Sequence, residues 1–456
     1  MLYGLEVPSM RVPFRAAAAV IALLLAAVCR APARAQSAPA FVPLTPAMGA
    51  LYKPDSGPAP HVAVLVIHRT ANYMVHPACT ELSQRGFLVL CMNTRYYNNE
   101  TFVDWDNIAL DVKAGVTFLR KQPGITKVVL FGHSGGGPVM SYYQAVAENG
   151  IAYCNTPKKL VPCRGDLAGL PAADGIVFVD APAGQPVIVT RGLNPAYPTD
   201  ANPPDAMRVG DVDAFDPKNG YNPNGQSHYS SDFIKRFLAA QADRMNRLTQ
   251  DAVGRYNAVK NGTEGYKDDD IVLIPGGGNP GPGPGGSVNI NSLDRNVPAL
   301  NTTAQPEKLL RNDGTIVRKV IGSVVVPDKG LQQTNAAFDT GTKVFTLKSF
   351  LTTNAILGGG DGILGFDYCS VNNSTWCAVE NIHVPVMFAS MGAFVLIRDG
   401  EFAYQRSASK DKDYVVIEGA LHGLSPCTEC ETTPGQYSNV RRNLFDYIAK
   451  WMNARY

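Results

Sequence analysis

The amino-acid sequence predicts an α/β fold, a doubly wound and mostly parallel sheet carrying one large insertion. Three observations lead there. Apolar runs such as "HVAVLVIH" (61–68) are continuous rather than alternating, as expected of parallel strands covered on both faces. Segments with helical periodicity follow these runs in turn, which is the rhythm of βαβ units. The alternation stops near residue 185 and resumes near residue 381, with a stretch of different character between.

The N-terminus differs from all that follows. Positive "MRVPFR" precedes apolar "AAAAVIALLLAAVC" and then "APARAQ", the order of a secretory signal peptide with an A-x-A cleavage site. Residues 1–35 are read as that signal, cleaved near Ala35/Gln36, and the mature chain as secreted or periplasmic. The apolar run is short for a membrane span, and Val28 before Cys29 suits a lipoprotein site badly. No stable membrane anchor is therefore expected.

Cysteine usage agrees with export. Of 9 cysteines, all but Cys29 lie beyond the leader, an even set that suggests disulfides. Neighbour pairing (79/91, 154/163, 369/377, 427/430) closes the smallest loops, although spacing alone does not fix it. Cys427 and Cys430 are the one close pair and lack histidines at ligand spacing, so no metal is expected.

Residues 36–185 are read as the first part of the core. It holds strands over 61–68 and 87–93, with a helix over 77–85 between them. A helix with Ile108, Val112, Val116 and Leu119 on one stripe follows, then a strand "KVVLFG", a helix over 136–148 and a strand in "DGIVFVDAPAG". Residues 186–380 are read as a cap or lid insertion. The insertion contains an amphipathic helix "SDFIKRFLAAQADRMNRLTQDAV" capped by Ser231 or Asp232, a Gly/Pro-rich loop over 275–286, and a strand-like "GTIVRKVIGSVVVP". Residues 381–456 form the second part of the core, with strands "VPVMFAS" and "YVVIEGA" and a last helix bearing Val440, Leu444, Ile448 and Trp451.

Composition narrows the function. A net charge of +2 without a basic block or an aromatic-interleaved basic stripe argues against nucleic acid as a partner. No sequence feature fixes the oligomeric state.

The chemistry is concentrated in "VVLFGHSGGGPVM" (128–140). A buried strand runs into Gly132-His133-Ser134-Gly135-Gly136 and then into a helix, the context a G-x-S-x-G elbow requires. Small neighbours let strand and helix approach, the serine stands at the sheet edge, and the helix N-terminus favours a negative oxygen nearby. A dinucleotide-type phosphate turn does not fit, because the glycine spacing is not G-x-G-x-x-G.

A serine hydroxyl needs a base. Of the 7 histidines, His422 in "EGALHGLSPC" follows the last strand and is placed to serve. His68 and His133 lie close to the elbow in sequence or at a neighbouring strand end and are read as lining or substrate-binding residues. The carboxylate that should orient the base is less plain. No acid follows "VPVMFAS" until Asp399 and Glu401, whereas Asp180 ends the strand "GIVFVD". Asp180 is the first choice, with Glu401 and then Asp399 as alternatives. The oxyanion donors are expected to be the N–H of Gly135 and that of Arg69 or Thr70. The Arg69 side chain is either a surface charge or a ligand for a substrate carboxylate.

The elbow at Ser134, the late His422 and the strand–helix order around them resemble the α/β-hydrolase superfamily, over roughly residues 45–185 and 381–456. The resemblance implies a serine hydrolase that uses no cofactor and passes through an acyl-enzyme on Ser134, with a small-molecule carboxylic ester as substrate. A lipase, thioesterase, amidase or acyltransferase would use the same parts. The alternative from another class is a binding protein with a dead site, suggested by the missing acid after "VPVMFAS".

Overall fold

The computed structural model of the protein describes residues 37–197, 210–263, 270–276, 290–338, 341–358 and 365–456. The expected signal peptide and most of the 275–286 loop lie outside these residues.

The apolar runs form the strands anticipated for them. In chain order the main sheet contains β1 (Ala40–Leu44), β2 (Ala47–Tyr52), β3 (Val62–His68), β4 (Leu88–Asn93), β5 (Lys127–His133) and β6 (Gly175–Val179). A separate two-stranded ribbon pairs β7 (Ile271–Pro275) with β10 (Thr342–Thr346). The main sheet is completed by β8 (Glu307–Leu310), β9 (Ile316–Lys319), β11 (Val386–Met391) and β12 (Lys412–Ile417). Its order is β1-β2-β4-β3-β5-β6-β11-β12-β8-β9. The run from β4 to β8 is parallel, while β1 against β2, β2 against β4 and β8 against β9 are antiparallel. The opening hairpin β1–β2 extends the sheet beyond the strands read from the sequence.

Uninterrupted apolar strands make sense because the sheet is covered twice. Along β3, Ala63, Leu65 and Ile67 face one apolar core, while Val62, Val64 and Val66 face the other. The first core receives helices Trp105–Arg120 and Gly136–Asn149; the second receives Pro77–Ser83 and Val440–Asn453. Helix Trp105–Arg120 starts where the Asp104 carboxylate accepts the N–H groups of Asp106 and Asn107.

The four disulfides are the neighbour pairs, 79–91, 154–163, 369–377 and 427–430. Cys79–Cys91 fastens helix Pro77–Ser83 to β4. The Cys427–Cys430 bond leaves no thiolate there for a metal.

Between residues 186 and 380 the structure differs from its expected outline in two respects. The amphipathic helix spans Ser231–Lys260, longer than its clearest stripe, and its cap is Ser230 rather than Ser231 or Asp232. Ser230 Oγ accepts the Phe233 N–H at 3.1 Å. Residues 307–319, read as part of a cap, instead join the sheet: β8 pairs with β12, and β9 closes the edge. The strand-like stretch 314–327 is a strand only over Ile316–Lys319; beyond it Ile321 and Ser323 pair irregularly with Thr303 and Asn301, and the Val324 N–H donates to the Gly392 carbonyl.

Candidate active site

A tight turn joins β5 to the helix that follows it. β5 ends at His133, helix Gly136–Asn149 begins three residues later, and Ser134 between them has φ 55°. Left-handed backbone is costly for a residue with a Cβ and persists only where surroundings impose it. Here the Ser134 N–H donates to the Val179 carbonyl at 3.0 Å, and its carbonyl accepts the Gly137 N–H at 2.9 Å. Gly136 allows the close approach, because a Cβ there would lie 2.3 Å from the Ile67 carbonyl oxygen.

Strand register then sets Asp180 beside the serine. His133 pairs with Val179, so Ser134 and Asp180 leave adjacent strand tips together. Asp180 also has positive φ, 44°, with its N–H donated to Ala389 at 2.7 Å. Its buried carboxylate accepts the Met391 N–H through Oδ1 at 3.1 Å and meets His422 Nδ1 through Oδ2 at 2.5 Å. His422 Nε2 lies 2.8 Å from Ser134 Oγ. An ionised carboxylate only accepts, so Nδ1 carries the proton and Nε2 receives the serine hydroxyl. Phe394 stacks on the imidazole at 4.4 Å between centroids. Ser134, His422 and Asp180 are thus brought into one hydrogen-bonded chain.

The alternative acids serve the fold instead. Glu401 sits fully buried in helix Ile397–Arg406, where it accepts the N–H groups of Ala304 at 2.9 Å and Gln305 at 3.0 Å and pairs with Arg398. Its place as a second candidate for the triad acid is corrected: the carboxylate is fully used in tying residues 304–305 to the core. Asp399 accepts the Ala183 N–H at 2.9 Å and pairs with buried Arg191 at 2.9 Å. Asp399→Ala leaves that guanidinium buried without its charge partner. The variant should lose roughly 3–5 kcal/mol of stability in urea denaturation, and a loss below about 1 kcal/mol would contradict this role.

His133 turns away from the serine. Its Nε2–H donates to the His422 carbonyl at 2.8 Å, and its Nδ1 lies 3.0 Å from His76 Nε2 and 2.9 Å from the Tyr73 hydroxyl. His76 Nδ1 accepts the Ala78 N–H at 3.1 Å, so its own proton is on Nε2 and points at His133. The ring expected to contact substrate therefore has both nitrogens engaged within the protein and fixes the backbone of His422.

Three of these rings resist protonation. Burial, then the charge of Arg69, lowers the His68 pKa from 6.5 to about 3; burial, then Arg441, lowers His76 from 6.5 to about 3. Burial, then His422, pushes His133 well below 6.5. Below pH 6.5 the unfolded chain binds protons that the folded chain excludes, so stability present above that pH is lost as pH falls toward 3. Each ring contributes a slope of up to about 1.4 kcal/mol per pH unit in that window. The urea midpoint should fall steadily from pH 7 to pH 5; a flat profile would contradict the burial of these rings.

Ser134 and His422 open onto a cavity of about 190 Å³, lined also by His68, Tyr73, Gln185 and Ile188. Arg69 reaches it too, but its guanidinium is buried and bound to Glu100 at 2.8 Å and to Gln185. Burial alone would raise the Glu100 carboxyl, yet Arg69 and Thr70 hold it at about 2. The Arg69 charge is thus matched within the protein, unlike either sequence reading of that side chain. Of the two candidate amides after β3, the Thr70 N–H is engaged by His68 Nδ1 at 3.1 Å. Glu100, Gln185, Tyr73, His76 and Phe394 were not singled out in the sequence. Each arrives from a loop or a distant segment with no motif around it.

No protein-family model and no curated protein matches this sequence. Similar solved structures include a hypothetical protein from Pseudomonas aeruginosa, at 13% identity, covering 90% of this chain and 89% of that one, with TM-score 0.39. Est1E from Butyrivibrio proteoclasticus is similar at 10% identity over 91% of this chain and 100% of that one, TM-score 0.37. A soluble variant of monoglyceride lipase from Saccharomyces cerevisiae is similar at 11% identity over 93% and 99%, TM-score 0.40. At such scores the fold is assigned from the chain's own topology. A parallel sheet ordered β2-β4-β3-β5-β6-β11-β12 with only β2 reversed, and a tight turn at Ser134 after β5, give this chain the α/β-hydrolase fold.

Proposed function

We propose that the protein is a serine hydrolase that cleaves carboxylic esters through an acyl-enzyme. One observation carries this reading: the unbroken chain from Asp180 Oδ2 through His422 to Ser134 Oγ, at 2.5 Å and 2.8 Å, opening on a cavity. His422 Nε2 takes the hydroxyl proton as Ser134 Oγ bonds to the ester carbonyl carbon. The carbonyl π electrons move onto oxygen, which the backbone N–H groups of Gly135 and Arg69 stabilise. The C–O bond to the alcohol then breaks as His422 returns the proton to the leaving oxygen. Water repeats the sequence and releases the acid. Asp180 holds the Nδ1–H tautomer throughout.

The presence of an acid against His422 Nδ1 supports an enzyme over a binding protein with a dead site, since that alternative drew on a missing acid. With the Arg69 charge matched by Glu100, the cavity suits an uncharged acyl group. The four disulfides fit an exported protein, and no helix among the described residues is long and apolar enough to cross a membrane. Export itself rests on the leader at residues 1–35.

A fluorophosphonate probe tests the reading. Wild-type protein should be labelled on the peptide containing Ser134 and should hydrolyse short aryl esters. Labelling and turnover should both vanish in Ser134→Ala. Folded wild-type protein that stays unlabelled would sink the proposal.

A further inference from the structure

His68 ends β3, and its two ring nitrogens stand in different surroundings. Nδ1 accepts two backbone hydrogen bonds, from the N–H of Thr70 at 3.1 Å and that of Ala71 at 2.9 Å. A ring nitrogen that accepts carries no proton, so the single proton of the neutral imidazole lies on Nε2. Burial, with the nearby Arg69 charge, lowers the pKa of the ring to about 3, so it stays neutral far into acid.

Nε2 faces the elbow. A Cβ built on Gly135 would lie 2.6 Å from it, the nearest contact outside residues 134–136 among the described residues. Only glycine at 135 leaves room for this approach. Among the described residues no acceptor is within hydrogen-bond distance of the Nε2–H, and the ring lines the same cavity as Ser134 and His422. A fixed donor therefore stands unpartnered against the residue whose N–H begins the oxyanion hole.

We propose that the Nε2–H of His68 is a third donor to the oxyanion, beside the backbone N–H groups of Gly135 and Arg69, which makes His68 a catalytic residue. The inference rests on the acyl-transfer reading above. The contact is a hydrogen bond only: no proton leaves Nε2, and the charge that develops on the carbonyl oxygen is shared among three donors. A neutral ring suits the task, because a cationic one would also bind the product carboxylate tightly and slow its release. The same ring shapes the loop that presents Arg69, since its Nδ1 gathers the two amides that follow.

Two amide variants separate the two roles. Asparagine at 68 can place its Oδ1 where Nδ1 was, which keeps the loop and removes the donor. Glutamine can place its Nε2 where the imidazole Nε2 was, which keeps the donor and removes the loop anchor. H68N should lower kcat about 10²-fold with KM little changed. It should also weaken a trifluoromethyl ketone by a similar factor, because that inhibitor forms the tetrahedral oxyanion. H68Q should keep the larger share of kcat and lose more thermal stability. In wild-type protein labelled with ¹⁵N-histidine, the His68 Nε2–H proton should move downfield when the trifluoromethyl ketone adduct forms.

Equal kcat in H68N and wild type overturns the inference, as does a rise in KM in both variants with no change in inhibitor ranking. Should both variants fail to fold, an unmoved Nε2–H resonance in the wild-type adduct overturns it. A wild-type protein that fluorophosphonate leaves unlabelled overturns the hydrolase reading first, so the two failures are distinguishable.

Discussion

His422→Ala is expected to lower kcat for an aryl ester by roughly 10⁶-fold while leaving the fold intact. The reason lies in the 2.8 Å contact between His422 Nε2 and Ser134 Oγ. Without it the hydroxyl keeps its proton, and a neutral alcohol attacks an ester slowly. The backbone at 422 does not depend on the imidazole, because its carbonyl is held by His133 Nε2–H. Unfolding in urea should therefore stay within about 1 kcal/mol of wild type. Single-turnover kinetics would show the loss in the acylation step. Retention of a hundredth of the wild-type rate would mean that another base serves.

Asp180→Asn should cost about 10⁴-fold in kcat, the effect expected of a lost tautomer rather than a lost structure. The amide can keep the hydrogen bond from Met391 N–H through its oxygen, so the strand tip survives. Its NH₂ group would now face Nδ1 and donate to it. The ring proton then moves to Nε2, and Nε2 donates to Ser134 instead of accepting from it. Glu401→Gln provides the contrast. That carboxylate holds the Ala304 and Gln305 N–H groups, so the variant should alter stability and leave the rate on folded protein close to wild type. A larger kinetic effect at 401 than at 180 would reverse the assignment.

Much of this was legible in the residues themselves. The runs at 62–68, 88–93 and 127–133 announce strands because both faces of each are buried, and burial on both faces removes polar residues from the run. The elbow is legible because its glycines and serine are adjacent in the chain and follow a buried strand, although the contacts that demand Gly135, Gly136 and Gly137 come from His68, Ile67 and Ala181 far away in sequence. The base was placed by its position after the last parallel strand. The acid was harder, since choosing Asp180 over Glu401 depends on which strand lies beside β5, a matter of sheet order rather than local pattern. β8 and β9 were harder still. They are four residues each, and β12, the parallel partner of β8, lies about a hundred positions away. Side-chain partnerships such as Arg69 with Glu100 leave no periodic trace, so a buried ion pair looked like a loose charge.

The strands β8 and β9 bear on any effort to shorten or exchange parts of this molecule. Joining residue 185 directly to residue 381 looks on paper like the removal of an accessory lobe. It would also strip two strands from the sheet and leave the outer edge of β12 bare, with its N–H and C=O groups free to recruit the same edge of another molecule. It would take away the 304–305 amides that satisfy the buried carboxylate of Glu401 as well. A trimmed or chimeric version must carry residues 304–319 with it as part of the frame. It must keep Arg191 as well, whose guanidinium is the charge partner of the buried Asp399, so the frame of the molecule reaches into the stretch that the linear order sets apart.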